Sequence, residues 1–152
     1  MSTTTHKKTF QTWVDINTMI CNISEKIKKG NWDPDIIIGI TRGGLIPAVI
    51  LSNLLDTRMR TWKISLRDEG IIDPCPLNTE EIKNKKILIV DDLNDTGQTL
   101  ATIQDILGEV PNIRYAALIE NKSSLFKNID YYSQEIDKSI DDSWIVFPWE
   151  KH

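Results

Sequence analysis

Three carboxylates fall within five residues at Asp91, Asp92 and Asp95, and the small-hydroxyl and glycine turn Thr96-Gly97-Gln98-Thr99 follows immediately. The run before them, Ile87-Leu88-Ile89-Val90, is continuous and mostly β-branched, the pattern of a strand buried on both faces. Carboxylates, Asn and Gly disfavour strand, so the strand is predicted to end at Val90 and to deliver its acids to one place. A second run of chemical interest is Thr41-Arg42-Gly43-Gly44. It lies between a predicted strand and a predicted helix, an arrangement that presents backbone N–H groups and an arginine to anions, phosphates above all. Two glycines could equally make only a tight turn, and the residues alone leave both readings open. The only histidines, His6 and His152, lie at the two ends of the chain. A Ser-His or Cys-His couple within one subunit is therefore not expected. Any catalysis must rest on carboxylates, backbone amides, cations and a metal.

The elements that position these residues are legible from periodicity. Phe10, Trp13, Ile16, Ile20, Ile23 and Ile27 recur at helical spacing, with Thr9 as the expected N-cap and Gly30 as the stop. Residues 1–8 are polar and expected to fray. Asp35–Ile40 reads as a buried strand and Leu45–Leu55 as an apolar helix, with Pro47 tolerated in its first turn. Met59–Leu66 reads as a strand, and residues 67–83, carrying Gly70, Pro74 and Pro76, as a long irregular loop of the kind that closes over a site. Gln98–Leu107 is predicted helical, Ile113–Ile119 a strand ending at Glu120-Asn121-Lys122, and Ile129–Tyr132 a short strand. Residues 144–149 form an aromatic, apolar tail. The order of strands and crossover helices predicts an α/β fold around a mostly parallel, twisted sheet flanked by helices. Ligands in such sheets bind beyond the carboxyl ends of the strands, where Thr41–Gly44, Asp91–Thr99 and Lys122 should converge.

Composition sets outer bounds. The 152 residues suit a single domain that buries about two thirds of its unfolded surface without disulfides. A formal net charge of -4, with Lys and Arg spread along the chain, argues against nucleic-acid binding. Cys21 and Cys75 lack metal-type spacing and read as reduced thiols. With no run of transmembrane length and no signal-peptide core, the reading is a cytoplasmic protein that does not meet a membrane.

With these residues in view, Ile87–Thr99 resembles the signature of type I phosphoribosyltransferases, from the hydrophobic quartet through the acidic pair to the Asp-Thr-Gly-x-Thr loop. Thr41–Gly44 is similar to the pyrophosphate loop of that family. Lys122 and Trp144-Ile145, with Pro148-Trp149, resemble the base-binding parts of its purine branch, the xanthine-guanine and hypoxanthine-guanine enzymes. The resemblance implies magnesium-dependent transfer of a 5-phosphoribosyl group from phosphoribosyl pyrophosphate to a 6-oxopurine, whether guanine, hypoxanthine or xanthine. It further implies that Arg42 and Gly43 hold pyrophosphate, across a peptide before Arg42 that is strained or cis. Asp91 and Asp92 would serve ribose and magnesium. Leu93, Asn94, Asp95, Thr96, Gly97, Gln98 and Thr99 complete the donor loop, with Thr96–Thr99 around the 5-phosphate. Asp95 would accept the proton of the purine imidazole, Lys122 would donate to the 6-oxo group, Trp144 would stack on the ring, and Ile145 would meet the 2-position through its backbone. Arg67 is a candidate lid residue. Residues from about 123 to 152 would form a small hood over the base, and the subunits would assemble as a dimer or tetramer. An oxocarbenium-like transition state fits the lack of a useful histidine, because it asks for a held leaving group, cation charge and a dry site. Val146 stands where xanthine-guanine enzymes carry an acid, which leaves the choice of purine open.

Two other readings stand beside this one. The same fold serves non-catalytic proteins that sense phosphoribosyl pyrophosphate, and a transferase for another base would share the donor motif. A basic surface or an added DNA-binding domain would mark the first, and the net charge of -4 does not suggest it.

Overall fold

The computed structural model describes residues 7–66 and 70–151. Six strands form the main sheet in the order β4-β3-β2-β5-β6-β7. They are β2 (Ile36–Thr41), β3 (Met59–Ser65), β4 (Ile71–Ile72), β5 (Ile87–Asn94), β6 (Ile113–Asn121) and β7 (Tyr131–Ile136). All neighbours run parallel except β4, which pairs antiparallel with β3. From β2 the chain winds outward to β3, and from β5 it winds the other way to β6. The direction therefore reverses between β2 and β5, whose pairing ends at Gly39 opposite Val90. Beyond that point no further pairing joins the two strands, and the Thr41–Gly44 loop packs against Asp91 and Asp92.

Alternation along the central strands assigns the two faces. Ile37 of β2 and Leu88 and Val90 of β5 pack with Ile16, Ile20, Ile23 and Ile27 of α1 (Trp13–Lys29) and with Ala48 and Leu51 of α2 (Leu45–Leu55). Ile36, Ile38, Ile40, Ile87 and Ile89 turn to the opposite face, against Leu100, Ile103 and Leu107 of α4 (Gln98–Leu107). Both faces are covered, which is why these strands read as unbroken apolar runs.

Several boundaries differ from the sequence reading. The N-cap of α1 is Thr12, not Thr9: its hydroxyl accepts from Asp15 N at 3.1 Å, and Asp15 Oδ2 accepts from Thr12 N at 2.8 Å. The acid three residues on makes Thr12 the better cap. Lys7 and Lys8 are not frayed. β1 (Lys8–Phe10) pairs parallel with β8 (Trp144–Val146), and Lys7 O accepts from Trp144 N at 2.7 Å. The rest of the N-terminal run lies outside the described residues.

Residues 70–83 are not one irregular connection either. Trp62 Nε1 donates to Asp73 O at 2.8 Å, and α3 (Thr79–Asn84) is capped reciprocally by Asn78 and Glu81. Arg60 grips Glu81 through paired hydrogen bonds of 2.8 and 2.7 Å, and this holds the Glu81 carboxyl down at about 2. The expected hood is smaller than residues 123–152, because β7 within that span belongs to the main sheet.

Candidate active site

β5 does not stop at Val90. It runs through both acids to Asn94, paired with β6 at Asp91 opposite Ala117, Leu93 opposite Ile119 and Asn94 opposite Glu120. Ladder hydrogen bonds and satisfied side chains outweigh the poor strand propensity of these residues. Asn94 is 2% exposed, yet its amide donates to Glu120 Oε1 at 2.7 Å and to Phe126 O at 3.0 Å, and its oxygen accepts from Ser124 Oγ at 3.0 Å. Asn94 thus anchors the loop from inside.

The acidic pair follows directly on the last residue of β5 that pairs with β2. Asp91 Oδ1 accepts from Asp92 N at 2.8 Å, and Asp92 Oδ1 accepts from Leu93 N at 2.7 Å. Burial pushes the Asp91 carboxyl up to about 6. Burial, and then the neighbouring charge of Asp91, drives Asp92 well above its ordinary value. On the β2 side, Gly43 lies so close to the Asp92 carboxylate that a Cβ there would collide with it. The Thr41–Arg42 peptide is cis, and Arg42 is exposed at the opening. The Thr41–Gly44 loop and Asp91–Asp92 are therefore one site.

Beyond the acids the chain turns at Gly97, whose φ of +91° suits glycine and whose missing side chain leaves room for Ser124 and Phe126. Gly97 is the N-cap of α4 and places no side chain on the first-turn N–H groups, while Thr96 Oγ1 accepts from Gln98 N at 3.3 Å. An open helix N-terminus of this kind suits an anion.

The other side of the site is built from three segments. Asp95 Oδ1 lies 3.1 Å from Lys138 Nζ. That ammonium sits 5.9 Å from the centre of the Trp144 ring, which is 44% exposed, whereas Ile145 is buried. Asn121, buried at the end of β6, donates to Asp95 O at 2.8 Å and accepts from Lys138 N at 2.9 Å. Lys122 is directed elsewhere: its ammonium pairs with Glu135 Oε1 at 2.8 Å, and its side chain is 62% exposed. Arg67 lies outside the described residues.

Asn121, Lys138 and Glu150 were missed by sequence reasoning. Burial and the charge of Asp92 push the Glu150 carboxyl up, so the C-terminal tail comes back toward the acidic pair. Stacking of Phe147 on Trp149, with centroids 4.9 Å apart, and contact of Trp149 with Trp13 hold that tail. A polar residue at a strand end, as Asn121 is, offers the one sequence cue among the three; nothing near Lys138 marks it.

Comparison with known proteins places this geometry. Residues 11–152 match the model of the phosphoribosyl transferase domain. The chain is 32% identical over 120 residues to the xanthine-guanine phosphoribosyltransferase of Cereibacter sphaeroides, covering 75% of this chain and 68% of that one. It is 33% identical over 117 residues to the enzyme of the same name from Nitratidesulfovibrio vulgaris, with the same coverage of 75% and 68%. The crystal structure of purine phosphoribosyltransferase from Pyrococcus horikoshii superposes with a TM-score of 0.80 at 34% identity, over 96% of this chain and 95% of that one.

Proposed function

Because this chain belongs to the phosphoribosyl transferase domain family, we propose that it transfers the 5-phosphoribosyl group of phosphoribosyl pyrophosphate to a 6-oxopurine. The products are the purine nucleotide and pyrophosphate, and the acceptor is guanine, hypoxanthine or xanthine. One observation carries this reading: the Thr41–Gly44 loop is pressed against Asp92 at the point where strand order reverses. Pyrophosphate and ribose then have adjoining places, Arg42 and Gly43 for the first, Asp91 and Asp92 for the second. Thr96, Gly97, Gln98 and Thr99 hold the 5-phosphate at the open start of α4.

The acidic pair suits magnesium. Its two carboxylates are partly buried, repel each other and gain from a cation. Among the described residues no group of three or more His, Cys, Asp or Glu side chains could hold a metal ion. A pair without a fuller cage favours an ion that keeps water and phosphate oxygens in its shell. Asp91 and Asp92 would hold the ion, and it would supply charge neutralisation for the leaving pyrophosphate.

In the reaction, purine N9 bonds to ribose C1 as the bond from C1 to the pyrophosphate oxygen breaks. Pyrophosphate leaves with the bonding electrons, and the N7 proton passes to the Asp95 carboxylate. Trp144 stacks on the base, the Ile145 backbone meets its 2-position, and Lys122, paired with Glu135 in this structure, turns to donate to the 6-oxo group. Among the described residues no helix is long and apolar enough to cross a membrane, which suits purine salvage in the cytoplasm. Trp13 and Val14, 53% and 75% exposed, support assembly as a homo-oligomer.

The test supplies phosphoribosyl pyrophosphate and magnesium with guanine, hypoxanthine, xanthine, adenine, uracil or orotate in turn. Pyrophosphate release is expected with at least one 6-oxopurine. Tight donor binding with no release for any base would instead indicate a sensor of phosphoribosyl pyrophosphate.

A further inference from the structure

Independently of the transferase reading, we propose that the cavity between the end of α4 and the start of β6 binds a compact organic ammonium ion. The cavity measures about 410 Å³ and lies between Gln104 and Gly108 at the end of the helix, Ile113 and Tyr115 of the strand, and Asn128. A volume of that order holds a small molecule. Gly97 caps the opposite end of α4, so this cavity is separate from the site proposed for the donor.

Tyr115 points to a ligand. It is 4% exposed, its backbone N–H donates to Asp130 Oδ2 at 2.9 Å, and its ring meets Phe126 edge-on with centroids 4.9 Å apart. Among the described residues, no hydrogen bond engages its hydroxyl. Nor is that hydroxyl sealed in the core. Among the described residues, Trp149 Nε1 is the one fully enclosed side-chain donor or acceptor without a partner. The Tyr115 oxygen therefore opens on the cavity that its side chain lines. Hydroxyls this deeply placed nearly always have a partner. Burial, and then the charge of Asp130, push the hydroxyl above its ordinary range, so it stays neutral.

The surroundings favour a cation. Glu109 is the one charged side chain among the described residues that line the cavity, and no Lys, Arg or His joins it. Arg114, between Ile113 and Tyr115 in sequence, turns to the opposite face of the sheet. There it donates to the Tyr131 hydroxyl at 2.6 Å and lies 4.7 Å from the centre of the Trp32 ring. Gly108 N donates to Gln104 O at 2.8 Å and closes α4, which brings the negative pole of the helix to the same rim. Gln104 Oε1 accepts from Asn128 Nδ2 at 3.2 Å, and this leaves the Asn128 oxygen as an acceptor. An ammonium offers donors only, and it meets a carboxylate, a phenol oxygen and an amide oxygen here. Val110, Pro111 and Ile113 supply apolar surface for its carbon body. An anion would face Glu109 and the wrong end of the helix.

The experiment titrates the full-length, nitrogen-15-labelled protein with benzylammonium chloride, benzyl alcohol and inorganic phosphate in turn, following backbone amide shifts. Magnesium is kept in excess so that the acidic pair does not compete for the probe. Saturable shifts with benzylammonium are expected at Gly108, Glu109, Val110, Ile113 and Tyr115. Benzyl alcohol, of the same shape without the charge, should bind at least about fivefold more weakly. Tyr115→Phe should weaken benzylammonium binding by about three- to tenfold, and Glu109→Gln by about two- to fivefold. If Tyr115→Phe does not fold, Glu109→Gln, at the exposed rim, is read in its place. Absence of saturable shifts at these residues, equal affinity for the alcohol, tighter binding of phosphate, or affinity unchanged by the variants would each overturn the assignment.

Discussion

The proposed donor side and the proposed base side of this site are built in opposite ways. The donor side comes from two short contiguous runs, Thr41–Gly44 and Asp91–Thr99, each leaving the carboxyl end of a central strand. The base side gathers Asp95, Lys138 and Trp144 from three segments, tied together by Asn121 and by the small β1–β8 sheet. Backbone groups and close approach dominate the first, as Gly43 against Asp92 shows. Side chains on turns dominate the second. The proposed site for phosphates is thus part of the sheet's own geometry, while the proposed site for the base is mounted on elements that can vary without disturbing it.

Variants that separate the two sides test this contrast. Asp92→Asn strikes the donor side and should lower kcat/KM by about 100- to 1000-fold. Purine binding to that variant, followed by calorimetry, should change little; a matching loss would mean that the halves are not separable. Asp95→Asn sits where they meet. Turnover should fall about 100-fold with the donor KM nearly constant, and equal losses in both would remove the proposed role in proton transfer. Trp144→Ala belongs to the base side alone. Its purine KM should rise about 10-fold, and an unaltered purine affinity would refute stacking.

The smallest effect is on stability. The Asp91 carboxyl is raised to about 6 in the folded protein from an ordinary 3.8, chiefly by burial. Between those values the folded state holds more proton than the unfolded state, so ligand-free stability should decline as pH rises through that window and stay reduced above it. Asp91→Asn should flatten the decline and raise Tm at neutral pH by a few degrees, corresponding to about 1 kcal/mol. Thermal melts of the metal-free protein across that range provide the check, and a Tm that climbs with pH equally in both proteins would contradict it.

Particular residues show how far the sequence could be read. Leu45–Leu55 and Gln98–Leu107 are helices with those bounds in the structure, because an apolar pattern bracketed by glycine on one or both sides leaves little choice. The strand predicted to end at Val90 instead runs to Asn94. Propensity acts on single residues, while the ladder to β6 and the buried contacts of Asn94 are supplied by distant segments. Periodicity predicts Thr9 as the cap of α1, but Thr9 pairs with Ile145 in the β1–β8 ladder, and Asp15 completes the capping box at Thr12 instead. The same long-range pairing turns a polar N-terminal run into strand.

Ile87–Thr99 by itself determined that a buried strand, an acid pair and a glycine turn stand together, since residues adjacent in sequence must also be adjacent in space. The tertiary structure decided which lysine meets Asp95. Lys122 is the nearer of the two to the motif in sequence, but just past β6 it pairs with Glu135, while Lys138 is brought back by the turn that Asn121 holds. The physical reason is that side-chain direction at a strand end depends on the partner strand and on the next turn, and local pattern carries neither.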